Sequence, residues 1–300
     1  EMFYHQDRLE AEEKYSEALR ITVLVEGEGS KNAGVLSRNL GAVYAKQGKL
    51  DDALSMQKRA LRVFRRVHGD EHPDVALSLN AVGITLTKKG LFDRAMQKYE
   101  EALGIFSRSE GEDHEDVAMV LGNMTVLLKK QGKYAEALAI GAKVLGIQRR
   151  TLGSGDERVA IATINLGQLY LYQGMDEEAL VRFQEGLGIV RRIHPERTVV
   201  EGIFLEHFGM VYARQGKLED ALTMYKKAHR IYRKTLGPSC ADVGRVLTNI
   251  GNVSFRQGKL DEAMETYEEA MAMVRRALGD EHIDLAGLLH NMALCKEEAG

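Results

Sequence analysis

Apolar residues recur at steps of three and four along nearly the whole chain, which is the spacing of one face of an amphipathic helix. The first complete example lies within residues 34–75, where one predicted helix carries on a single face Leu36, Leu40, Val43 and Tyr44. Gly48 follows this helix and Lys49 comes after it. Glycine suits the left-handed cap of a helix, and a cation suits the negative end of the helix dipole. The pattern therefore predicts a helix that ends at a tight turn.

A second helix is predicted to begin near Asp51, because the apolar spacing resumes there. It turns inward Ala53, Leu54, Ala60, Leu61 and Phe64. The small alanine side chains allow two helix backbones to approach closely. The segment from His68 to Asp74 contains a glycine and a proline, which interrupt the helical pattern. Residues 34–75 are therefore predicted to form a helical hairpin followed by a loop.

This hairpin pattern returns every 42 residues with no insertion. The turn glycine recurs as Gly48, Gly90, Gly132, Gly174, Gly216, Gly258 and Gly300, and an alanine recurs as Ala53, Ala95, Ala137, Ala179, Ala221 and Ala263. A fixed period of this size is typical of a solenoid, in which each unit buries its apolar face against its neighbours. The prediction is a single domain over residues 1–300: the second helix of an incomplete unit (1–33), six full repeats (34–75, 76–117, 118–159, 160–201, 202–243 and 244–285), and the first helix of a seventh (286–300).

Composition limits the classes of partner and compartment. All three prolines lie between predicted helices, and the net charge of −3 at pH 7 excludes bulk electrostatic attraction to nucleic acid or to a membrane surface. We expect no membrane insertion, because no apolar run is long enough to span a bilayer, and no secretory signal is recognisable. Cys240 and Cys295 have neither disulfide nor metal spacing, so we expect the cytoplasm or another reducing compartment. Because Glu1 and Gly300 both fall within a repeat, we also expect a piece of a longer protein.

The repeated positions resemble those of the tetratricopeptide repeat. A glycine in the first helix recurs as Gly41, Gly83, Gly167, Gly209 and Gly251, and an aromatic residue in the second recurs as Tyr15, Tyr99, Phe183, Tyr225 and Tyr267. The positions that depart from this pattern are Gln57, Thr125, Gly141 and Ala293. The period is longer than the usual ~34 residues of that family, and it resembles the variety found in kinesin light chains and nephrocystin-like proteins. The resemblance implies an all-α, right-handed superhelical solenoid of antiparallel helix pairs, whose first helices line the concave side.

Three sets of side chains are expected to share one stripe of these first helices. An amide ladder with one histidine comprises Asn39, Asn123, Asn165, His207, Asn249 and Asn291. A basic ladder further along the same helices comprises Lys46, Lys88, Lys130, Arg214 and Arg256. Apolar positions beside the amides include Ile84, Val126 and Met210, with Met119, Ile161 and Ile203 on the other side.

This combination suits an extended polypeptide. An asparagine side chain both donates and accepts, so a repeated amide can hold a peptide backbone whatever side chains the peptide carries. The resemblance supports this interpretation, because concave asparagines hold peptide backbones in proteins of this family. The basic ladder would favour acidic residues in the ligand, and the apolar positions would take its hydrophobic anchors. Alternatives stay open: the amides bond the adjacent helix, the cations complement helix dipoles, and the apolar residues form core between units.

Motifs for catalysis, cofactors and metals are not recognisable in the sequence. It contains no P-loop and no nucleophile elbow. Histidine and acid pairs in the predicted loops are His72 with Asp74, His114 with Asp116, and His282 with Asp284. These pairs lie one repeat or more apart and cannot share an ion, and an acid at the start of a helix is an ordinary N-terminal cap. We therefore expect no enzyme, no cofactor and no metal.

The sequence favours a non-enzymatic adaptor that binds an extended or helical segment of a partner protein. One alternative is a structural subunit of a larger assembly, held through its loops, convex side or ends. Another is the sensor region of a larger regulatory protein.

Overall fold

A computed structural model describes the backbone of residues 2–300 and the side chains of residues 10–300. This part of the chain contains 14 α-helices and no β-strand, which confirms the all-α prediction. The helices are α1 (Met2–Glu26), α2 (Lys31–Lys46), α3 (Leu50–His68), α4 (Pro73–Lys88), α5 (Phe92–Glu110), α6 (Glu115–Lys130), α7 (Tyr134–Leu152), α8 (Glu157–Tyr172), α9 (Asp176–Ile193), α10 (Val199–Arg214), α11 (Leu218–Thr235), α12 (Ala241–Arg256), α13 (Leu260–Leu278) and α14 (Ile283–Ala299).

The helices form two compact units, Glu1–Thr151 and Leu152–Gly300. Within the first unit, α2 packs against α3 and α4 against α5, while α3 and α5 each pack against the helix that follows. Within the second unit, the pairs α8 with α9, α10 with α11 and α12 with α13 are joined in the same way. Alternate helices touch as well, for example α2 with α4 and α8 with α10. Each helix therefore packs against near neighbours in sequence, which is the arrangement of a repeat solenoid.

Left-handed glycines lie at the helix junctions. Gly48 and Gly90, at the turns within two hairpins, have φ of 80° and 76°, a region that residues with a Cβ avoid. In the first of these turns the amide N–H of Lys49 donates to the carbonyl of Tyr44 at 3.0 Å, the bond of a Schellman cap. The loops between hairpins use glycines of the same kind: Gly27, Gly69, Gly111, Gly153, Gly237 and Gly279.

Histidines begin three of the first helices. The Nδ1 atoms of His72, His114 and His282 each accept the amide N–H of the aspartate two residues later, at 3.1, 3.2 and 3.3 Å. The caps that were predicted for the acids are therefore made by the histidines. The equivalent position before α8 is Asp156, whose carboxylate accepts the amide N–H of Arg158 at 2.8 Å. An imidazole can serve this purpose because its unprotonated nitrogen is an acceptor.

Inside a hairpin, an aromatic ring of the second helix lies against a glycine of the first. A Cβ added to Gly83 would lie 2.5 Å from the ring of Tyr99, and one added to Gly167 would lie 2.4 Å from Phe183. The contact recurs at Gly209 with Tyr225 and at Gly251 with Tyr267. These rings are buried, so the absent side chain of each glycine is the space that the ring occupies.

The third repeat departs from the pattern at both the glycine position and the aromatic position. Thr125 stands at the glycine position of the third repeat, and Gly141 stands at the aromatic position of the same repeat. The larger residue is therefore on the first helix and the glycine on the second, in reverse of the other repeats. The Thr125 hydroxyl is buried and donates to the carbonyl of Leu121 at 2.9 Å, so its burial leaves no unsatisfied donor.

We expect Gly83→Ala to destabilise the protein by about 1–3 kcal/mol, because the new methyl group overlaps a buried ring. The matched control is Gly122→Ala in α6, where nothing lies within 4 Å of the added Cβ. That change should instead stabilise the protein by about 0.5–1 kcal/mol through helix propensity. Urea unfolding followed by circular dichroism gives both values, and equal effects of the two substitutions would contradict the packing argument.

We expect the fold to lose stability as the pH rises above about 10, where tyrosines of an unfolded chain ionise. Burial raises the pKa of Tyr267 to about 12, and burial also raises the pKa of Tyr99, Tyr225 and Tyr232. The unfolded chain then loses these protons first, so the stabilisation is complete below the unfolded pKa and is lost as the pH rises through the folded one. Tyrosinate absorbance and helical circular dichroism should change together. The pH at the midpoint of alkaline unfolding should rise in Tyr267→Phe. It should stay unchanged in Tyr172→Phe, which changes an exposed side chain.

Candidate functional site

The predicted site residues all lie on the first helices of the hairpins. In the first unit they include Asn39 on α2, Ile84 on α4, and Asn123 and Val126 on α6. In the second unit they lie on α8, α10, α12 and α14. The two groups are called the first-unit face and the second-unit face below, and each is described within its own unit.

Three asparagines of the amide ladder bond the preceding first helix. The Nδ2 atom of Asn123 donates to Oδ1 of Asn80 at 2.8 Å, and that of Asn291 donates to Oδ1 of Asn252 at 3.0 Å. Asn249 donates to a carboxylate oxygen of Glu206 at 3.3 Å. These contacts support the alternative that the amides fix the spacing between repeats. A role toward a ligand stays a prediction for them.

His207 also joins two first helices. Its Nδ1 lies 2.7 Å from the carbonyl oxygen of Ile203, so this nitrogen carries the proton. Its Nε2 is then an acceptor for the side-chain amide of Gln168 on α8, at 2.8 Å. Because the imidazole is buried among these partners, it links α8 with α10 and offers little surface to a ligand.

Asn165 is exposed, in contrast to the other members of the ladder. Asn39, for example, is half-buried. Among the described residues Asn165 has no hydrogen-bond partner. Both its donor and its acceptor therefore face solvent. This is the ladder position where the chemistry proposed for peptide binding is available.

The basic ladder caps the neighbouring helix. Lys88 donates to the carbonyl of Ala45 at 2.9 Å, and Arg214 and Arg256 donate to those of Leu171 and Ala213 at 2.5 and 2.6 Å. These carbonyls lie in the last turns of α2, α8 and α10, where the helix itself supplies no partner. These cations were predicted to complement the dipole of their own helix, whereas the observed contacts are made to the first helix of the preceding repeat. Lys46 and Lys130 are exposed.

Apolar side chains on both faces reach solvent. Val126 on the first-unit face is 47% exposed, while Ile161 and Met210 on the second-unit face are 43% and 40% exposed. Ile84 is half-buried. Tyr172 interrupts the basic ladder in the sequence, and the structure shows that it is 56% exposed near the end of α8. The apolar residues beside the amides are therefore partly available for contact and are not wholly core.

A buried carboxylate on α10 was not predicted from the sequence. Glu206 is buried there, where one carboxylate oxygen accepts from Arg245 and Asn249 and the other accepts from the Tyr232 hydroxyl at 3.2 Å. Burial raises the pKa of Glu206, and the Arg245 guanidinium opposes that shift. The available signal was a glutamate directly after the apolar residues at 203–205.

Comparison with known proteins identifies the repeat. The family model of the tetratricopeptide repeat matches residues 31–108, 83–146, 116–192, 202–276 and 242–300. No curated protein matches the chain significantly in sequence. None of the described helices combines the length and apolarity that crossing a bilayer would need.

Solved structures share the fold at low sequence identity. BtubC (BKLC) of P. vanneervenii has a TM-score of 0.64 at 23% identity, covering 77% of this chain and 91% of that one. A Podosopora anserina protein assigned as a kinesin light chain, with nearly identical TPR-like repeats, has a TM-score of 0.58 at 17% identity, covering 66% and 94%. The Signal Transduction ATPase with Numerous Domains (STAND) of Pyrococcus horikoshii, which has a tetratricopeptide repeat sensor, has a TM-score of 0.71 at 15% identity, covering 94% and 41%. These likenesses concern the fold and confirm the resemblance to kinesin light chain-like repeats.

We expect Lys88→Met to destabilise the protein by about 1 kcal/mol, since it removes the hydrogen bond to the end of α2 and keeps most of the aliphatic stem. Lys58→Met on the exposed side of α3 is the control and should change stability by less than about 0.5 kcal/mol. Chemical unfolding of the two variants is compared with the unchanged chain. An equal, small effect of both would mean that the contact contributes nothing measurable.

Proposed function

The chain belongs to the tetratricopeptide repeat family, and on that basis we propose that it is a non-enzymatic adaptor whose first helices bind an extended or helical segment of another protein. Repeats of this family serve as interaction scaffolds, and a row of similar helices presents a longer surface than a compact domain of the same size. No nucleic-acid or membrane partner is part of the proposal.

The observation that carries the proposal is the exposed amide of Asn165 with exposed apolar side chains beside it. Ile161 lies on the same helix, one turn earlier, and Met210 lies on α10, which packs against α8. An amide that bonds a peptide group and neighbouring apolar side chains that take hydrophobic anchors are the two requirements for holding a polypeptide segment. The Gln168–His207 hydrogen bond joins the two helices that carry these residues. The surface is therefore held in place before a ligand arrives, which lowers the entropy cost of binding.

Acidic residues in the partner are also part of the proposal. Arg214 and Arg256 each donate to a carbonyl, but a hydrogen bond to a neutral group does not cancel a full positive charge. Asp176 lies 3.2 Å from Arg214 and offsets part of that charge. We therefore expect acidic partner residues to contribute mainly through long-range attraction and to lose their effect at high salt.

A second candidate function is that of a structural subunit of a larger assembly. It is favoured by the asparagines that are hydrogen-bonded within the protein. Asn123, Asn249 and Asn291 already bond neighbouring helices, so much of the polar surface of the first helices serves cohesion. The sensor region of a larger regulator remains a third candidate, since the STAND protein carries its repeats in that role.

A displayed peptide library tests the adaptor proposal without a known partner. Selection on the immobilised chain of 300 residues is expected to enrich peptides with apolar and acidic residues. Fluorescence anisotropy then gives Kd for a synthetic peptide from the enriched set. We expect Ile161→Asp and Met210→Asp to weaken binding about tenfold or more, as expected when a central apolar contact is lost, and Asn165→Ala to have a smaller effect.

Matched controls lie on the second helix α9. Val181 is 55% exposed, so Val181→Asp introduces the same charge at a similarly exposed apolar position, and Gln184→Ala removes an exposed amide. Neither should change Kd, and all variants should keep the helical circular dichroism. Peptides that respond to Val181→Asp and ignore Ile161→Asp would place the interaction on the second helices. A chain that enriches no peptide and purifies in fixed proportion with other subunits would instead be the structural subunit.

A further inference from the structure

In each of two loops between hairpins, three potential metal ligands lie close together. The first histidine loop is His68, His72 and Asp74, and the second is Glu110, His114 and Asp116; in each set the ligand atoms lie within 4.8 Å of one another. The two sets occupy the same positions of successive repeats. Leu278 occupies the His68 position before His282 and Asp284, so that third loop has only two of the three side chains.

The structure adds His68 as a third potential ligand beside the predicted pair of His72 and Asp74. His68 is the last residue of α3, whereas His72 and Asp74 begin α4. Oδ2 of Asp74 lies 3.7 Å from Nε2 of His68 and 3.7 Å from Nδ1 of His72. The two imidazole rings stack with centroids 4.1 Å apart. One aspartate oxygen therefore faces a nitrogen of each histidine.

Two contacts prepare this loop for a cation. Nε2 of His68 is buried and has no hydrogen-bond partner among the described residues, which is a cost that coordination would relieve. Arg38 donates to Oδ1 of Asp74 at 3.2 Å and leaves Oδ2 turned toward the histidines. Support of a ligand carboxylate by a second hydrogen bond is the usual outer shell of a metal site. The positive charge of Arg38 also opposes a divalent ion, so the site needs ligands of high intrinsic affinity.

We propose that His68, His72 and Asp74 bind a zinc ion. Two imidazole nitrogens and one carboxylate are ligands that zinc takes readily, and water would complete a tetrahedral set. The hard ions Mg²⁺ and Ca²⁺ prefer oxygen ligands and fit this set poorly.

Binding of a zinc ion requires one of the two stacked rings to turn. The lone pairs of the two stacked rings lie in two nearly parallel planes, whereas an ion bound by both rings must lie near the plane of each. The side chain of His72 is 38% exposed and that of His68 is 19% exposed, so His72 is the ring that turns. If its Nδ1 binds the ion, the hydrogen bond from the Asp74 amide is exchanged for a coordination bond. The ion would then tie the end of α3 to the start of α4.

The second histidine loop suits zinc less well. It offers one imidazole and two carboxylates, so it supplies one nitrogen ligand fewer than the first histidine loop. The third loop has Leu278 at the position of His68 and therefore offers only His282 and Asp284. The three loops therefore form a series in which the suitability of the ligands for zinc decreases.

Isothermal titration of the full chain with zinc chloride tests the proposal, after removal of any polyhistidine tag. We expect saturable binding with one dominant site and no response to magnesium chloride. His68→Leu reproduces the residue of the third loop and should weaken that site at least tenfold. His72→Asn keeps a side chain that can cap α4 but removes the imidazole, and should weaken it similarly. His282→Asn makes the same exchange in the third loop and should leave zinc affinity unchanged.

Two further readouts separate coordination from a structural effect. Zinc should shift the imidazole nuclear magnetic resonance signals of His68 and His72, and it should raise Tm of the unchanged chain more than Tm of His72→Asn. Absence of saturable zinc binding by the unchanged chain would overturn the proposal. So would unchanged affinity in His72→Asn, or equal losses in His72→Asn and His282→Asn. If His68→Leu fails to fold, His72→Asn and the resonance shifts still decide the matter.

Discussion

In four of the hairpins, an aromatic ring packed on a glycine holds the two helices at close range. The distances from a hypothetical Cβ to the ring, 2.4–2.6 Å in four hairpins, show that no larger residue fits without displacement. The third repeat has Thr125 at the glycine position and Gly141 at the aromatic position, so it has no ring to place there. Once the hairpin is fixed in this way, the first helices lie side by side at a separation that hydrogen bonds can span.

The polar side chains of the first helices consequently differ in their surroundings. Most of the amides and several cations hold one repeat to the next: Asn123 bonds an amide, Asn249 a carboxylate, and Lys88 the carbonyl end of a helix. Asn165, at an equivalent position of α8, is exposed to solvent. A sequence ladder therefore does not correspond to a uniform surface.

The loops between hairpins vary more freely than the helices because they do not carry the glycine–aromatic contact. Their glycine and cap positions are kept, so a histidine in the cap position starts α4, α6 and α14 through the same hydrogen bond. The last residue of the preceding helix is outside that requirement. It is histidine, glutamate or leucine in these three loops, and this single difference changes what each loop can bind.

The sequence by itself determined the all-α class, the helical hairpins and the repeat family, because apolar spacing and turn glycines are local signals that recur in phase. It also placed the candidate residues on the first helices, and it left the choice between ligand contact and helix contact open. Only the tertiary structure decided that Lys88 and Arg256 cap neighbouring helices and that Glu206 is buried with Arg245. The physical reason is that hydrogen bonds between repeats join groups about forty residues apart in the sequence. Such bonds depend on helix separation and orientation, which a periodic pattern does not specify.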